Sequence, residues 1–143
     1  MYSYVKQIST FLPNFQGTLT GFTQLMADNG IDMLALSIAD TTNFGIVRAI
    51  VPDYDRALSV LQQAGYTASI TPVLAVGVPD SPGGLNRVLQ ILTKEEISIE
   101  YLYSFVHTVE EQVVLIIRVD DGDLAVEILQ KAGIRLFDRS EIQ

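Results

Sequence analysis

Hydrophobic and polar positions along the chain change period several times, and each change marks an element. Residues 5–11 and 73–78 are rich in β-branched and apolar side chains and predict two first strands. Each is followed by a Pro-x-x-x-Gly loop, after which apolar residues recur at helical spacing: Leu19, Phe22, Leu25 and Met26, then Leu85, Val88, Leu89, Ile91 and Leu92. Residues 31–39 and 97–106 predict second strands, and 46–51 and 113–119 third strands, joined by hairpin loops at 40–45 and 107–112. Asp53 and Asp121 stand where a second helix needs a cap. Those helices turn Ala57, Val60, Leu61 and Ala64, and in the second case Ala125, Ile128, Leu129 and Ala132, toward a sheet. Gly65 and Gly133 end them, because a glycine reaches the positive φ of a helix C-terminus without cost. Short fourth strands follow at 68–71 and 134–137.

The pattern occurs twice. Leu12-Pro-Asn-Phe-Gln-Gly-Thr-Leu19 lies over Val78-Pro-Asp-Ser-Pro-Gly-Gly-Leu85, matching Pro13 with Pro79 and Gly17 with Gly83. The register continues through Ile31 with Ile97 and Leu36 with Leu102. It slips by two residues at the hairpin, then pairs Val51 with Val119, Asp53 with Asp121, Ala57 with Ala125, Leu61 with Leu129 and Gly65 with Gly133. The expected fold is α+β: two tandem ferredoxin-like β-α-β-β-α-β modules, 1–71 and 72–143, each an antiparallel sheet with its helices on one face. A module of ~70 residues buries only about 60% of its unfolded surface. Pairing two modules, or two chains, answers that weakness.

Composition adds a second surface to this picture. Hydrophobic residues are 48% of the chain and the mean hydropathy is +0.30, yet no apolar run approaches the ~18 residues a membrane helix needs. The surplus points to a packed core and an interface. In residues 97–106, Ile99, Tyr101, Tyr103 and Phe105 alternate with Glu100, Leu102, Ser104 and Val106, so both faces of that strand are largely apolar. Tyr101 or Tyr103 is expected to anchor a second chain, making a homodimer. Net charge is −8, and the nine basic residues are scattered, which argues against nucleic acid or an anionic membrane as partner. The absence of cysteine excludes disulfides, thiolate metal sites and cysteine nucleophiles. The N-terminal residues have no basic-then-apolar signal pattern, and the expected compartment is the cytoplasm.

Repeat two carries Val78-Pro-Asp-Ser-Pro-Gly-Gly-Leu85 and then Ile97-Ser-Ile99-Glu100, and by this the chain resembles an ACT domain. Repeat one departs from the motif with Asn14 for the acid, Gln16 for the second proline, and Gly30-Ile-Asp-Met33. The resemblance covers essentially the whole chain, with no catalytic domain beside it, and implies the free-standing tandem form. It further implies an effector, mostly an amino acid in this family, bound between adjacent modules. The implied contacts are Asn14, Gln16, Gly17, Thr18 and Leu19 in the first loop, Asp80, Ser81, Gly83, Gly84 and Leu85 in the second, and Asp32 and Ser98 opening the second strands. The family often has Asn where this chain has Asp80 and Asp32.

Physical chemistry is consistent with that location. A helix N-terminus offers unpaired N–H groups and partial positive charge to a carboxylate, and an acid or amide beside it accepts from an α-ammonium group. The same side chains also serve simply to close a turn. Other chemistries fare worse. Asp120-Asp-Gly-Asp123 lacks the calcium-loop order and falls at a helix start, where capping accounts for it. His107 is the only histidine and sits in a hairpin, which leaves no metal cluster and a poor triad. Acylphosphatases share the plan but need an arginine in the first loop; neither loop has one, and Arg87 is already on the helix. The expectation is a non-enzymatic regulator with no catalytic residue, metal or cofactor. The alternative is a structural dimerisation or docking module without a small ligand.

Overall fold

The computed structural model describes residues 1–40 and 43–143, so the expected hairpin at 40–45 lies partly outside the described residues. The chain divides into two compact units. One comprises Lys6–Thr71 with Gln143; the other comprises Pro72–Ile142 with Met1–Val5.

In the first unit, β1 (Val5–Pro13), α1 (Thr18–Asp28), β2 (Ala35–Asp40), β3 (Phe44–Ile50) and α2 (Tyr54–Gln63) run in the expected order. β1 pairs antiparallel with β3 from Ile8↔Ala49 to Pro13↔Phe44. β3 also pairs with β2, from Ala35↔Ile50 to Asp40↔Gly45. Alternation places Ile8, Leu12 and Val47 on the helix-facing side, where they pack with Phe22, Met26, Ala57 and Leu61. The cap read from the sequence is present: the Asp53 carboxylate accepts the Arg56 N–H at 3.1 Å. Gly65, at φ 90°, ends α2 in a Schellman turn, with the Tyr66 N–H on the Leu61 carbonyl at 3.0 Å.

The second unit repeats this with β4 (Ala68–Pro79, here from Pro72), α3 (Gly84–Lys94), β5 (Ile99–Ser104), β6 (Gln112–Val119), α4 (Gly122–Lys131) and β7 (Arg135–Leu136). β4 pairs with β6 from Leu74↔Ile117 to Pro79↔Gln112, β6 with β5, and β7 with β4 at Val76 and Gly77. Leu74, Val76, Val78, Leu115 and Ile117 meet Val88, Leu92, Ala125 and Leu129 in the core. Asp121 caps α4 by accepting the Leu124 N–H at 3.1 Å.

Three expectations need correction. The fourth strand of the first module and the first strand of the second are one strand, β4. Pro72 does not break it, because the φ that proline fixes is compatible with extended backbone. β2 begins at Ala35 rather than residue 31, since the Gly30 turn (φ 65°) carries the Ile31 N–H back to the Met26 carbonyl at 2.9 Å. β7 has only two residues and is followed by a short unforeseen helix, α5 (Arg139–Ile142).

The terminal segments also exchange sides. In the second unit the Tyr2 hydroxyl donates to the Phe137 carbonyl at 2.9 Å and accepts the Ala75 N–H at 3.1 Å. Burial pushes the Tyr2 phenol up to about 12. The Asp138 carboxylate accepts the Ser3 N–H at 2.6 Å, which holds its carboxyl below the usual range. In the first unit the Gln143 amide mimics a strand neighbour of Lys6. It accepts the Lys6 N–H and donates to the Lys6 carbonyl, both at 2.9 Å.

Candidate functional site

The two loops named from sequence fold alike. In the first, the Phe15 N–H reaches the Pro13 carbonyl at 3.0 Å; in the second, the Ser81 N–H reaches the Pro79 carbonyl at 2.9 Å. Gly17 (φ 92°, ψ −10°) and Gly83 (φ 90°, ψ −6°) then stand at the N-cap positions of α1 and α3. A left-handed conformation at both explains glycine there. Neither cap has a side chain to donate to, and neither helix has an acid in its first turn. The glycine at each N-cap therefore supplies no side chain to the first-turn N–H groups, of which those of Thr18 and Gly84 reach the Phe15 and Ser81 carbonyls at 3.5 and 3.2 Å.

The loops differ at one residue in a way that changes their chemistry. A Cβ at Gly84 would lie 2.6 Å from the Pro79 carbonyl oxygen, so helix and strand end approach as closely as they do only with glycine. Thr18 holds the matching position in the first loop. Its hydroxyl lies 2.9 Å from the Pro13 carbonyl and 3.0 Å from the Phe15 carbonyl, and donates between them. The first loop is thus closed by its own side chain, and the second is bare backbone flanked by Asp80 and Ser81.

Asn14, Gln16, Gly17, Leu19, Asp80, Ser81, Gly83 and Leu85 are exposed, with Thr18 and Gly84 half-buried. Asp32 and Ser98 are exposed as well, but at the far ends of the helices from their own loops. An 11-residue helix spans about 16 Å, so a module's loop and its second-strand residue do not meet within that module. Ser98 is fixed by Asp120, whose carboxylate accepts the Ser98 N–H at 3.0 Å and whose own N–H donates to the Ser98 carbonyl at 3.1 Å. Ser98 also lines a groove of about 540 Å³ with Leu89, Thr93 and Ile99. Asp32 precedes β2 by three residues instead of opening it.

Arg87, on the helix that follows the second loop, donates to the Ala132 carbonyl at 3.3 Å. Tyr101 and Tyr103 are half-buried on β5. Sequence reasoning missed an aromatic pair, Phe11 and Phe44, in edge-to-face contact at 6.4 Å. Their place on facing strands was legible only once the β1–β3 register was known. It also missed three glutamates at positive φ, Glu96, Glu110 and Glu111, because glutamate carries no signal for that conformation.

Among the described residues no helix is long and apolar enough to cross a membrane. No curated protein matches the chain by sequence. A crystal structure of a protein from Bacteroides thetaiotaomicron superposes with a TM-score of 0.89 at 35% identity, covering 98% of this chain and 96% of its own. The ligand-free regulatory subunit of aspartate kinase from Thermus thermophilus has a TM-score of 0.63 at 20% identity, covering 92% of this chain and 93% of its own. The corresponding subunit from Thermus flavus has a TM-score of 0.61 at 16% identity, covering 93% and 94%. At those identities the two kinase subunits speak to the fold alone. The family model described as an ACT domain pair matches residues 3–142. Repeated motif, repeated topology and matched length agree, and the chain belongs to the family of ACT domain pairs.

Proposed function

We propose that this chain is a non-enzymatic regulatory protein that binds a small ligand, an amino acid, at its glycine loops. The observation that carries this reading is the pair of left-handed glycines, each opening a helix that has neither a capping side chain nor a first-turn acid. Such a terminus suits a carboxylate. Asp80 in the second loop supplies an acceptor for the ammonium end, and Asn14 is its counterpart in the first. Because the Thr18 hydroxyl already closes the first loop, the second loop is the principal site.

Loop and second-strand residue lie at opposite ends of a helix, so a complete site needs another module against the loop. A homodimer supplies one, with Tyr101 and Tyr103 at its interface. The regulatory subunits of aspartate kinase share the fold and lend the regulatory role its precedent. The ACT domain pair matched over residues 3–142 supports a regulatory role, and the reading is of a sensor rather than a catalyst, working in the cytoplasm without metal or cofactor. A thermal-shift screen of the standard amino acids, followed by calorimetry on hits, tests the reading. Saturable binding of at least one is expected, and none at all would sink it.

The second reading, a docking module with no small ligand, draws on the exposed apolar side chains of the first module: Phe11, Phe15, Leu36, Ile38 and Phe44. Substituting Asp80 separates the two. A sensor loses its ligand response and keeps its oligomeric mass, whereas a docking module has no response to lose.

A further inference from the structure

The duplication provides an internal template for a surface the ligand loops do not use. At the carboxyl end of α4 the second module gathers three cations. Arg87 donates to the Ala132 carbonyl, Lys131 stands in the last turn of the helix, and the Arg135 guanidinium lies 4.2 Å over the Phe137 ring. Phe137 is wholly buried there, filling the space over Gly77, where a Cβ would come within 2.8 Å of its ring.

The first module has none of these cations at matched positions. Gly21 replaces Arg87, each donating its N–H to the loop glycine ahead of it. Gln63 replaces Lys131 as the last residue of the helix. Thr67 replaces Arg135 beside the first strand, opposite Phe11 rather than Gly77. The ring in this module comes from the strand itself: Phe11 takes the place of Gly77 and is 52% exposed. With Phe44, Gly65, Tyr66 and Thr67 it lines a cleft of about 370 Å³. The cleft opens at the carboxyl end of α2, where partial negative charge collects and no basic residue stands in the last turn.

We propose that this cleft receives an arginine side chain of a partner protein, its guanidinium stacked on Phe11 at the carboxyl end of α2. The second module makes the two halves of that contact from within the chain with different cations: Arg135, which Glu110 and Glu141 also hold, lies on the Phe137 ring, and Arg87 meets the Ala132 carbonyl. A single planar cation suits both an aromatic face and helix-terminal carbonyls. The chain's net charge of −8 favours approach of a basic partner.

Titrating the isotopically labelled intact chain with the peptide acetyl-Leu-Arg-Leu-amide, followed by NMR, tests this. Saturable shifts are expected at Phe11, Phe44, Tyr66 and Thr67. A citrulline peptide of the same shape but no charge is expected to bind about fivefold more weakly. Thr67→Arg, which restores the second module's residue at an exposed position, should plug the cleft and abolish the shifts while the spectrum stays folded. The proposal is overturned by equal binding of the citrulline peptide, by unchanged binding to Thr67→Arg, or by shifts confined to other residues. Free L-arginine binding as well as the peptide would overturn it in favour of a small-molecule pocket. Concentration-dependent shifts of the same residues without peptide would overturn it in favour of a second copy.

Discussion

The two modules share a register apart from a two-residue slip at the hairpin, and two of their differences fall at the glycine loops and at the carboxyl ends of the second helices. The second fills its own gaps: Phe137 over Gly77, Arg135 over Phe137, and Arg87 on a helix-end carbonyl. The first leaves the matching region open, with Phe11 and Phe44 half in solvent. The loops divide the opposite way, since Thr18 closes the first loop and Gly84 leaves the second bare. One module has the open glycine loop and the other the open aromatic end. Related cores thus support different surfaces.

The largest test of that division is Gly84→Ala. Its Cβ meets a backbone carbonyl that cannot move without displacing helix from strand. A loss of about 1–3 kcal/mol is expected by denaturant unfolding. Thr18→Ala at the matched position gives up only one partly exposed hydroxyl bond, roughly 1 kcal/mol. If the two cost the same, the loops are not unequal in the way described. Gly77→Ala comes next, at about 1–2 kcal/mol, because the Phe137 ring is stiff even though the Gln112 side chain nearby can yield. Phe11→Ala, at a half-exposed ring, is expected to cost well under that.

A smaller pair concerns the turns after α1 and α3. Gly30 and Glu96 occupy the same left-handed position, at φ 65° and 59°, and each passes the next N–H back five residues. Glu96→Gly is expected to stabilise by about 1 kcal/mol, and Gly30→Ala to destabilise by a similar amount. Melting temperatures measured in parallel would check both signs.

Smallest is the pH dependence of the segment that closes the second module. Asp138 is lowered by the Ser3 N–H, and Glu141 by Arg135 and then the Asp138 N–H. A carboxyl held lower in the folded state adds stability above its ordinary value and loses it as pH falls through the depressed one. The melting temperature of the native chain should therefore exceed that of Asp138→Asn/Glu141→Gln at neutral pH. The gap should begin to narrow as pH falls below about 4. A constant gap down to pH 3 would remove titration as the cause.

The repeat, the helix caps and the glycine-ended helices were legible because each rests on a residue type with one strong local preference. Asp53, Asp121, Gly65 and Gly133 all act as their chemistry dictates. The strands expected at 68–71 and 73–78 proved to be one, β4, because the φ of the intervening Pro72 suits extended backbone. Glu96, Glu110 and Glu111 were illegible because their positive φ is imposed by helix-end and hairpin hydrogen bonds and not by the residue. The exchange of termini was hidden for another reason. Tyr2 meets Phe137, and Lys6 meets Gln143, across nearly the whole length of the chain, and no local pattern announces such contacts. Within the candidate site the loops could be read residue by residue. The distance separating each loop from Asp32 or Ser98 had to wait for the helices between them.

One measurement bears most directly on the account: calorimetric titration of the intact chain with each amino acid that raises its melting temperature, repeated on Asp80→Ala and Asn14→Ala. Both side chains are exposed, so both variants should remain folded. Saturable binding to the native chain is predicted. Asp80→Ala should weaken it roughly tenfold or more, as expected for loss of a charged hydrogen bond, and Asn14→Ala should weaken it less. Failure of every amino acid to bind, or equal binding by Asp80→Ala and the native chain, would contradict it.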